Sequence, residues 1–256
     1  MSFHGLPCWF ELSVPDPDAA EVFYDAALGW AWSRVDMGAF DYHLAQMGEV
    51  LVAGGFPLAA CPPGTPPNWM IYIAVDDCDA SAAQAVALGG KIWKDPDDIP
   101  GTGRFAILGD PQGAVFGILQ PLPMDPPSAG GAFDPEKVGH GNWIELTSAD
   151  PAAALEFYGA LFGWREDARH DMGPAGLYRI IAHQDRQIGG ISGLGQSPFS
   201  FWLPYFGCAD LADTLDTLKT AGGVVMRGPQ EVPGPAMIAV ARDPQGAFFA
   251  LVGPKP

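Results

Sequence analysis

Trp9-Phe10-Glu11-Leu12-Ser13 and Trp143-Ile144-Glu145-Leu146-Thr147 are one strand pattern written twice, 134 positions apart. Extended without gaps, residues 9–30 and 143–164 are identical at 12 of 22 positions. The identities include Asp16-Pro17 with Asp150-Pro151, Phe23-Tyr24 with Phe157-Tyr158, and Gly29-Trp30 with Gly163-Trp164. Near the end of each half, Asp110-Pro111-Gln112-Gly113-Ala114 returns as Asp243-Pro244-Gln245-Gly246-Ala247. The chain therefore reads as a duplicated domain, residues 1–120 and 139–256. Residues 121–138 join the copies as a linker by composition, with Pro121, Pro123, Pro126 and Pro127 ahead of Gly130-Gly131.

Within each copy the pattern predicts strand, helix and short strands, and then the same again. Phe10, Leu12 and Val14 are apolar at period two, which marks a strand with one face on a core. Asp16 and Asp150 stand where a carboxylate caps free helix amides, and Pro17 and Pro151 fit the first helical turn. Gly29 stops the helix. Met70-Ile71-Tyr72-Ile73-Ala74-Val75, with Asp77 as cap, opens a second strand–helix pair; Trp202 to Cys208 and Asp210 do so in the other copy. The glycine pairs Gly54-Gly55 and Gly189-Gly190 are expected in hairpins. The expected fold is α+β, with four βαβββ units, two per copy.

The charge balance narrows the partners. Thirteen Lys+Arg against thirty Asp+Glu give a formal charge of −17, a surface that repels phosphate backbones and anionic headgroups. Neither nucleic acid nor membrane is expected as a partner; a small-molecule ligand is. The uncharged runs 50–75 and 187–209 are broken by Gly and Pro, so no membrane-spanning helix is expected. The start of the sequence lacks a basic region followed by an apolar core, and Cys8, Cys61, Cys78 and Cys208 lack paired spacing. Both point to a cytoplasmic protein with reduced thiols. Four units within one chain make a monomer feasible, with a homodimer as the other option.

The strand followed by Asp16, Phe23-Tyr24 and Leu28-Gly29-Trp30, with the closing Asp-Pro-Gln-Gly turn, resembles the vicinal-oxygen-chelate superfamily. That superfamily includes glyoxalase I, bleomycin-resistance proteins and extradiol dioxygenases, and the tandem form is similar to bacterial two-domain glyoxalase-like proteins. The resemblance implies paired βαβββ units forming a curved mixed sheet around a cavity, with helices outside. It also implies, in metal-using members, a His or Gln from a unit's first strand and a Glu from its last. The matching first-strand positions here are Trp9, Met70, Trp143 and Leu203; the last-strand positions are Gly117 and Ala250. Indole, thioether, leucine and absent side chains do not suit a divalent ion, so no metal or other cofactor is expected. His4, His43, His140, His170 and His183 show no ligand spacing repeated between the copies.

Side chains alternate along a strand, so Trp9, Glu11 and Ser13 share the face opposite Phe10, Leu12 and Val14. Trp143, Glu145 and Thr147 repeat this, and Tyr72 and Tyr205 fall at the corresponding place on the second unit's strand. Tyr42 and Tyr178 precede apolar strand runs and join the candidates. The expected site in each copy is an acidic, aromatic wall for a small planar molecule. Glu11 and Glu145 are the candidate catalytic groups; Trp9, Ser13, Tyr42, Tyr72, Trp143, Thr147, Tyr178 and Tyr205 are the candidate ligand contacts. Pairing of each glutamate with one of the few arginines, such as Arg104 or Arg179, is the structural alternative, and a metal-dependent lyase or dioxygenase with relocated ligands is the functional one.

Overall fold

The period-two run that begins the chain buries one face completely. In the computed structural model, which describes residues 3–123, 131–233 and 235–255, Phe10, Leu12 and Val14 of β1 (Pro7–Val14) are all buried. Removing each from water contributes roughly 1.5–3 kcal/mol. The chain then runs through α1 (Pro17–Leu28), β2 (Ala31–Asp36), β3 (Asp41–Met47) and β4 (Val50–Pro57). A second module follows: β5 (Asn68–Ala74), α2 (Cys78–Ala87), β6 (Lys91–Ile99), β7 (Gly103–Gly109) and β8 (Val115–Pro121). The other half repeats both. Its first module is β9 (Gly141–Ser148), α3 (Pro151–Phe162), β10 (Arg165–Asp171), β11 (Leu177–His183) and β12 (Arg186–Gly193). Its second is β13 (Phe201–Gly207), α4 (Leu211–Thr220), β14 (Val224–Glu231), β15 (Ala236–Arg242) and β16 (Phe248–Pro254).

The four helices start as the sequence dictates. Asp16, Asp77, Asp150 and Asp210 each adopt an extended backbone, and each carboxylate accepts from an amide of the first turn. Gly29 and Gly163 end α1 and α3 in the left-handed region, at φ 71° and 73°, where a Cβ is disfavoured.

The sheets are mixed. Their strand orders are β2-β3-β4-β1-β5-β8-β7-β6 and β10-β11-β12-β9-β13-β16-β15-β14. In each module the first strand runs parallel to the last and the three later strands form antiparallel pairs, as in Glu11 opposite Gly54 and Glu145 opposite Gly190. The parallel pairing needs a crossover, which the helix supplies. The fold is α+β, as expected. The glycine pairs Gly54-Gly55 and Gly189-Gly190 lie inside β4 and β12, the last strands of the first modules, and not in the turns between strands.

The chain packs into two compact units, and each unit draws one module from each half. One comprises residues 3–8, 70–123 and 143–203; the other comprises 9–69, 131–142 and 204–255. Of the predicted linker, residues 124–130 lie outside the described residues.

Each unit has a buried aromatic cluster at its centre. In one, Tyr24 stacks on Trp30 at 5.5 Å, while Trp69 and Phe249 meet it edge-on at 5.4 Å. In the other, Tyr158 stacks on Trp164 at 5.4 Å, with Trp202 edge-on at 5.3 Å and Phe116 at 5.4 Å. A buried phenol must find a partner. Tyr24 donates to Asp243 Oδ2 at 3.0 Å and accepts from Trp69 Nε1 at 2.9 Å. Tyr158 donates to Asp110 Oδ2 at 3.1 Å and accepts from Trp202 Nε1 at 2.9 Å. The Phe-Tyr pairs of the helices and the Asp-Pro-Gln-Gly turns thus meet in one hydrogen-bonded chain per unit.

Candidate functional site

On the face of β1 opposite Phe10 and Leu12, Trp9 and Glu11 are half-buried and Ser13 is buried. Tyr42 of β3 lies between the first two. It accepts from Trp9 Nε1 at 2.9 Å and donates to Glu11 Oε1 at 2.8 Å. The arrangement recurs in the other half: Tyr178 of β11 accepts from Trp143 Nε1 at 2.9 Å and donates to Glu145 Oε2 at 2.9 Å. Thr147 is half-buried on the same face of β9. Both tyrosines reach their places because β4 and β12 carry glycine beneath them. A Cβ on Gly54 would lie 2.1 Å from Tyr42 Oη, and one on Gly190 would lie 2.2 Å from Tyr178 Oη. The sequence pattern points to every member of these relays but not to the glycines' part in them.

Burial raises the Tyr42 phenol well above its ordinary range, and the Glu11 charge adds to the rise. The phenol is therefore a fixed, neutral donor at any ordinary pH, and it orients the carboxylate. Two arginines considered as partners of the glutamates pair elsewhere: Arg104 with Asp79 at 2.7 Å and Asp98 at 2.9 Å, and Arg179 with Glu166.

Tyr72 and Tyr205 are buried more deeply than the relays. Tyr72 packs flat on β8, where a Cβ on Gly117 would come within 2.2 Å of its ring. Tyr205 stands opposite Ala250 of β16. Two surface clefts, of about 280 and 310 Å³, lie against α1 and near the start of α4, and neither contains a predicted site residue.

The metal positions implied by the superfamily can be tested on the residues present. Trp9, Met70, Trp143, Leu203, Gly117 and Ala250 offer no oxygen or imidazole donor, and the Tyr72 ring lies where a side chain from position 117 would project. This donor set does not fit the group. Among the described residues, one cluster brings three other potential ligand atoms within 4.8 Å: Asp18, Glu21 and His43. It already holds a cation. Arg34 contacts Asp18 and Glu21 at 2.9 Å each, and His43 Nδ1 meets Glu21 Oε1 at 2.6 Å. Burial works to raise the Glu21 carboxyl, but the Arg34 and His43 hydrogen bonds hold it below its usual range.

The remaining histidines have structural surroundings. His4 Nε2 meets Leu161 O at 3.0 Å and His140 Nδ1 meets Val138 O at 2.9 Å. His183 is buried, and apart from a weak contact to the His4 backbone neither ring nitrogen meets a hydrogen-bond partner. Desolvation, followed by the charge of nearby His4, depresses its pKa. The unfolded chain therefore binds the proton more readily, so stability should fall as pH drops through about 6.5, the ordinary imidazole value. Urea midpoints at pH 7.5 and 5.5 should show this drop, and it should shrink in His183→Gln; an equal drop in both proteins would refute the assignment.

Comparison with known proteins agrees with the fold. Residues 9–119 match a family described as a glyoxalase-like domain, and residues 141–251 match the glyoxalase/bleomycin resistance protein/dioxygenase superfamily. The chain belongs to that superfamily. It is 31% identical to the anthracycline biosynthesis protein DnrV of Streptomyces peucetius, over 97% of this chain and 93% of the relative. It is 44% identical over 124 residues to CFP32 of Mycobacterium tuberculosis, a protein bearing a glyoxylase name. That match covers 47% of this chain and 46% of the relative, so it spans about half the length of that protein. Solved structures confirm the fold. The Mn(II)-bound glyoxalase of Novosphingobium aromaticivorans superposes with a TM-score of 0.67 at 18% identity, covering 99% of this chain and 83% of the other. The 2,3-dioxygenase LapB of Pseudomonas sp. KL28 gives 0.68 at 13% identity, over 100% and 94%. Among the described residues no helix is long and apolar enough to cross a membrane, and the four cysteines are free thiols.

Proposed function

We propose that this member of the superfamily binds a small, planar organic molecule against its acidic, aromatic faces and does so without the family's metal. The observation that carries the reading is the Trp–Tyr–Glu relay, built twice from residues far apart in sequence. Core packing alone does not require a half-buried carboxylate fixed by a neutral phenol; orienting a ligand hydroxyl or amino group does. The relative named for anthracycline biosynthesis supports a ligand of fused planar rings.

In this reading Glu11 and Glu145 accept a hydrogen bond or a proton from the ligand. Tyr42 and Tyr178 hold each carboxylate in one orientation, and Trp9 and Trp143 present apolar surface beside it. The donor set at the family's ligand positions, described above, supports metal independence. The protein is proposed to work in the cytoplasm as a monomer or homodimer, with neither nucleic acid nor membrane as partner.

The test uses Glu11→Gln and Glu145→Gln, singly and together, against a planar hydroxyquinone. The amide keeps an oxygen for the tyrosine but loses the charge. Calorimetry should show affinity falling roughly 10- to 100-fold per working face, since a hydrogen bond to a charged group contributes roughly 1.5–3 kcal/mol. Exhaustive dialysis against EDTA should leave binding unchanged. Full affinity in the double variant would refute the role of the glutamates; binding abolished by EDTA and restored by one divalent ion would refute metal independence.

A further inference from the structure

The two relays are alike, but their surroundings differ in a way that bears on the ligand. Phe56 lies two residues beyond Gly54 on β4 and therefore on the face against which Tyr42 packs. Its ring is 6.4 Å from that of Tyr42 with an interplanar angle of 18°. Phe40, just before β3, lies 5.7 Å from Phe56 at 31°. Tyr42 and Phe56 are thus nearly parallel and Phe40 is tilted beside them, a row that leads from the Glu11 carboxylate, and all three residues are half-buried. The matching positions of the duplicate carry no aromatic side chain. Register makes the comparison secure: Glu11 opposes Gly54 and Ser13 opposes Phe56, while Glu145 opposes Gly190 and Thr147 opposes Ser192. Ser192 therefore stands in the place of Phe56, and Gly176, two residues before Tyr178, stands in the place of Phe40.

We infer that Phe40 and Phe56 form an aromatic shelf that makes the first-half face the ligand site and selects a neutral or cationic planar hydroxyaryl compound. The assignment rests on the proposed reading and narrows it to one face and one ligand class. Partly exposed aromatic rings in a row favour a flat partner that stacks offset on them. A carboxylate at the end of the row accepts a hydrogen bond from a hydroxyl or amino group on the partner's edge. The formal charge of −17 disfavours carboxylated, sulfonated or phosphorylated rings. The second-half face keeps the carboxylate and the indole but offers a hydroxyl and a bare backbone where the shelf would be.

The experiment titrates the full chain with 1,5-dihydroxynaphthalene, following stoichiometry by equilibrium dialysis and the indole N–H signals of Trp9 and Trp143 by NMR. One molecule should bind per chain, shifting Trp9 and leaving Trp143 in place. Phe40→Ser/Phe56→Ser should weaken binding by roughly 2- to 12-fold per ring removed, and 1,5-naphthalenedisulfonate should bind far more weakly than the diol. Ser192→Phe, made in the otherwise unaltered chain, should add a second site that moves Trp143; failure to do so counts against the shelf even if the double variant does not fold. Two equal sites, joint movement of both indoles, or undiminished affinity in the double variant would overturn the shelf and leave the broader reading standing. Absence of any binding by the unaltered chain would overturn both.

Discussion

Replacing Asp243 by Ala should cost about 3–5 kcal/mol, because several donors lose their acceptor at once, at about 1–3 kcal/mol for each buried one. Its Oδ1 accepts from the amides of Gln245 at 2.9 Å, Gly246 at 2.7 Å and Ala247 at 2.9 Å, and its Oδ2 accepts from Tyr24 at 3.0 Å. Removing the carboxylate leaves those amides and the Tyr24–Trp69 chain without their acceptor in a buried setting. Asp110→Ala should behave similarly, because Asp110 accepts from Gln112 N at 2.9 Å, Ala114 N at 2.8 Å and Tyr158 Oη at 3.1 Å. Urea unfolding is the measurement. Tyr24→Phe, which removes a single hydroxyl, should cost only about 1 kcal/mol; equal losses for the two substitutions would refute the view that the turn depends on the carboxylate. The pH dependence has a defined sign. Desolvation is the largest influence on Asp243 and raises its pKa above 3.8 despite the hydrogen bonds. The folded state therefore binds the proton more readily, and the stabilisation from Asp243 is fully present below about pH 3.8 and declines as pH rises through the folded value. Asp243→Asn should accordingly cost more at pH 4 than at pH 7.

These networks show which parts of the structure can be read from residues and which cannot. The face of β1, the four aspartate caps and the helix stop at Gly29 follow from neighbours a few positions apart, where alternation and capping chemistry act directly. The pairing of Tyr24 with Asp243 does not. A duplicated chain offers Tyr24 two chemically equivalent acceptors, Asp110 and Asp243, and only tertiary packing selects between them. The structure pairs Tyr24 with Asp243 and Tyr158 with Asp110, so each compact unit takes a module from each half. One signal of the pairing does lie in the sequence: Phe-Tyr and Asp-Pro-Gln-Gly are identical in both halves while much between them differs, as expected of groups that must fit each other. The relay glutamates are legible because strand alternation places them opposite a continuous apolar row. The glycines beneath Tyr42 and Tyr178 read instead as turn residues, because a missing side chain signals a tight bend and a close contact equally well.

Gly54→Ala should separate the site from the fold. A Cβ at position 54 would fall 2.1 Å from Tyr42 Oη and 2.5 Å from its Cζ, a distance that real Cβ contacts do not show. Gly54 lies in mid-strand opposite Glu11, so the backbone has little room to retreat, and the tyrosine must rotate away. The expected loss of stability is about 1–3 kcal/mol, typical of overpacking. The larger effect should fall on the ligand: once Tyr42 leaves, Glu11 loses its orienting donor and Trp9 its acceptor, and the ring beside Phe56 is displaced. Affinity for 1,5-dihydroxynaphthalene should drop about 10-fold or more in Gly54→Ala, the loss of one charge-assisted hydrogen bond. In Gly190→Ala, where the added Cβ would meet Tyr178 Oη at 2.2 Å, stability should fall comparably while affinity stays near that of the unaltered chain. The contrast decides the matter, because two chemically matched insertions disturb the two halves alike and only one half carries the shelf. Equal loss of affinity in both variants would mean that binding depends on the fold as a whole; no loss in either would mean that the tyrosine does not orient the acid.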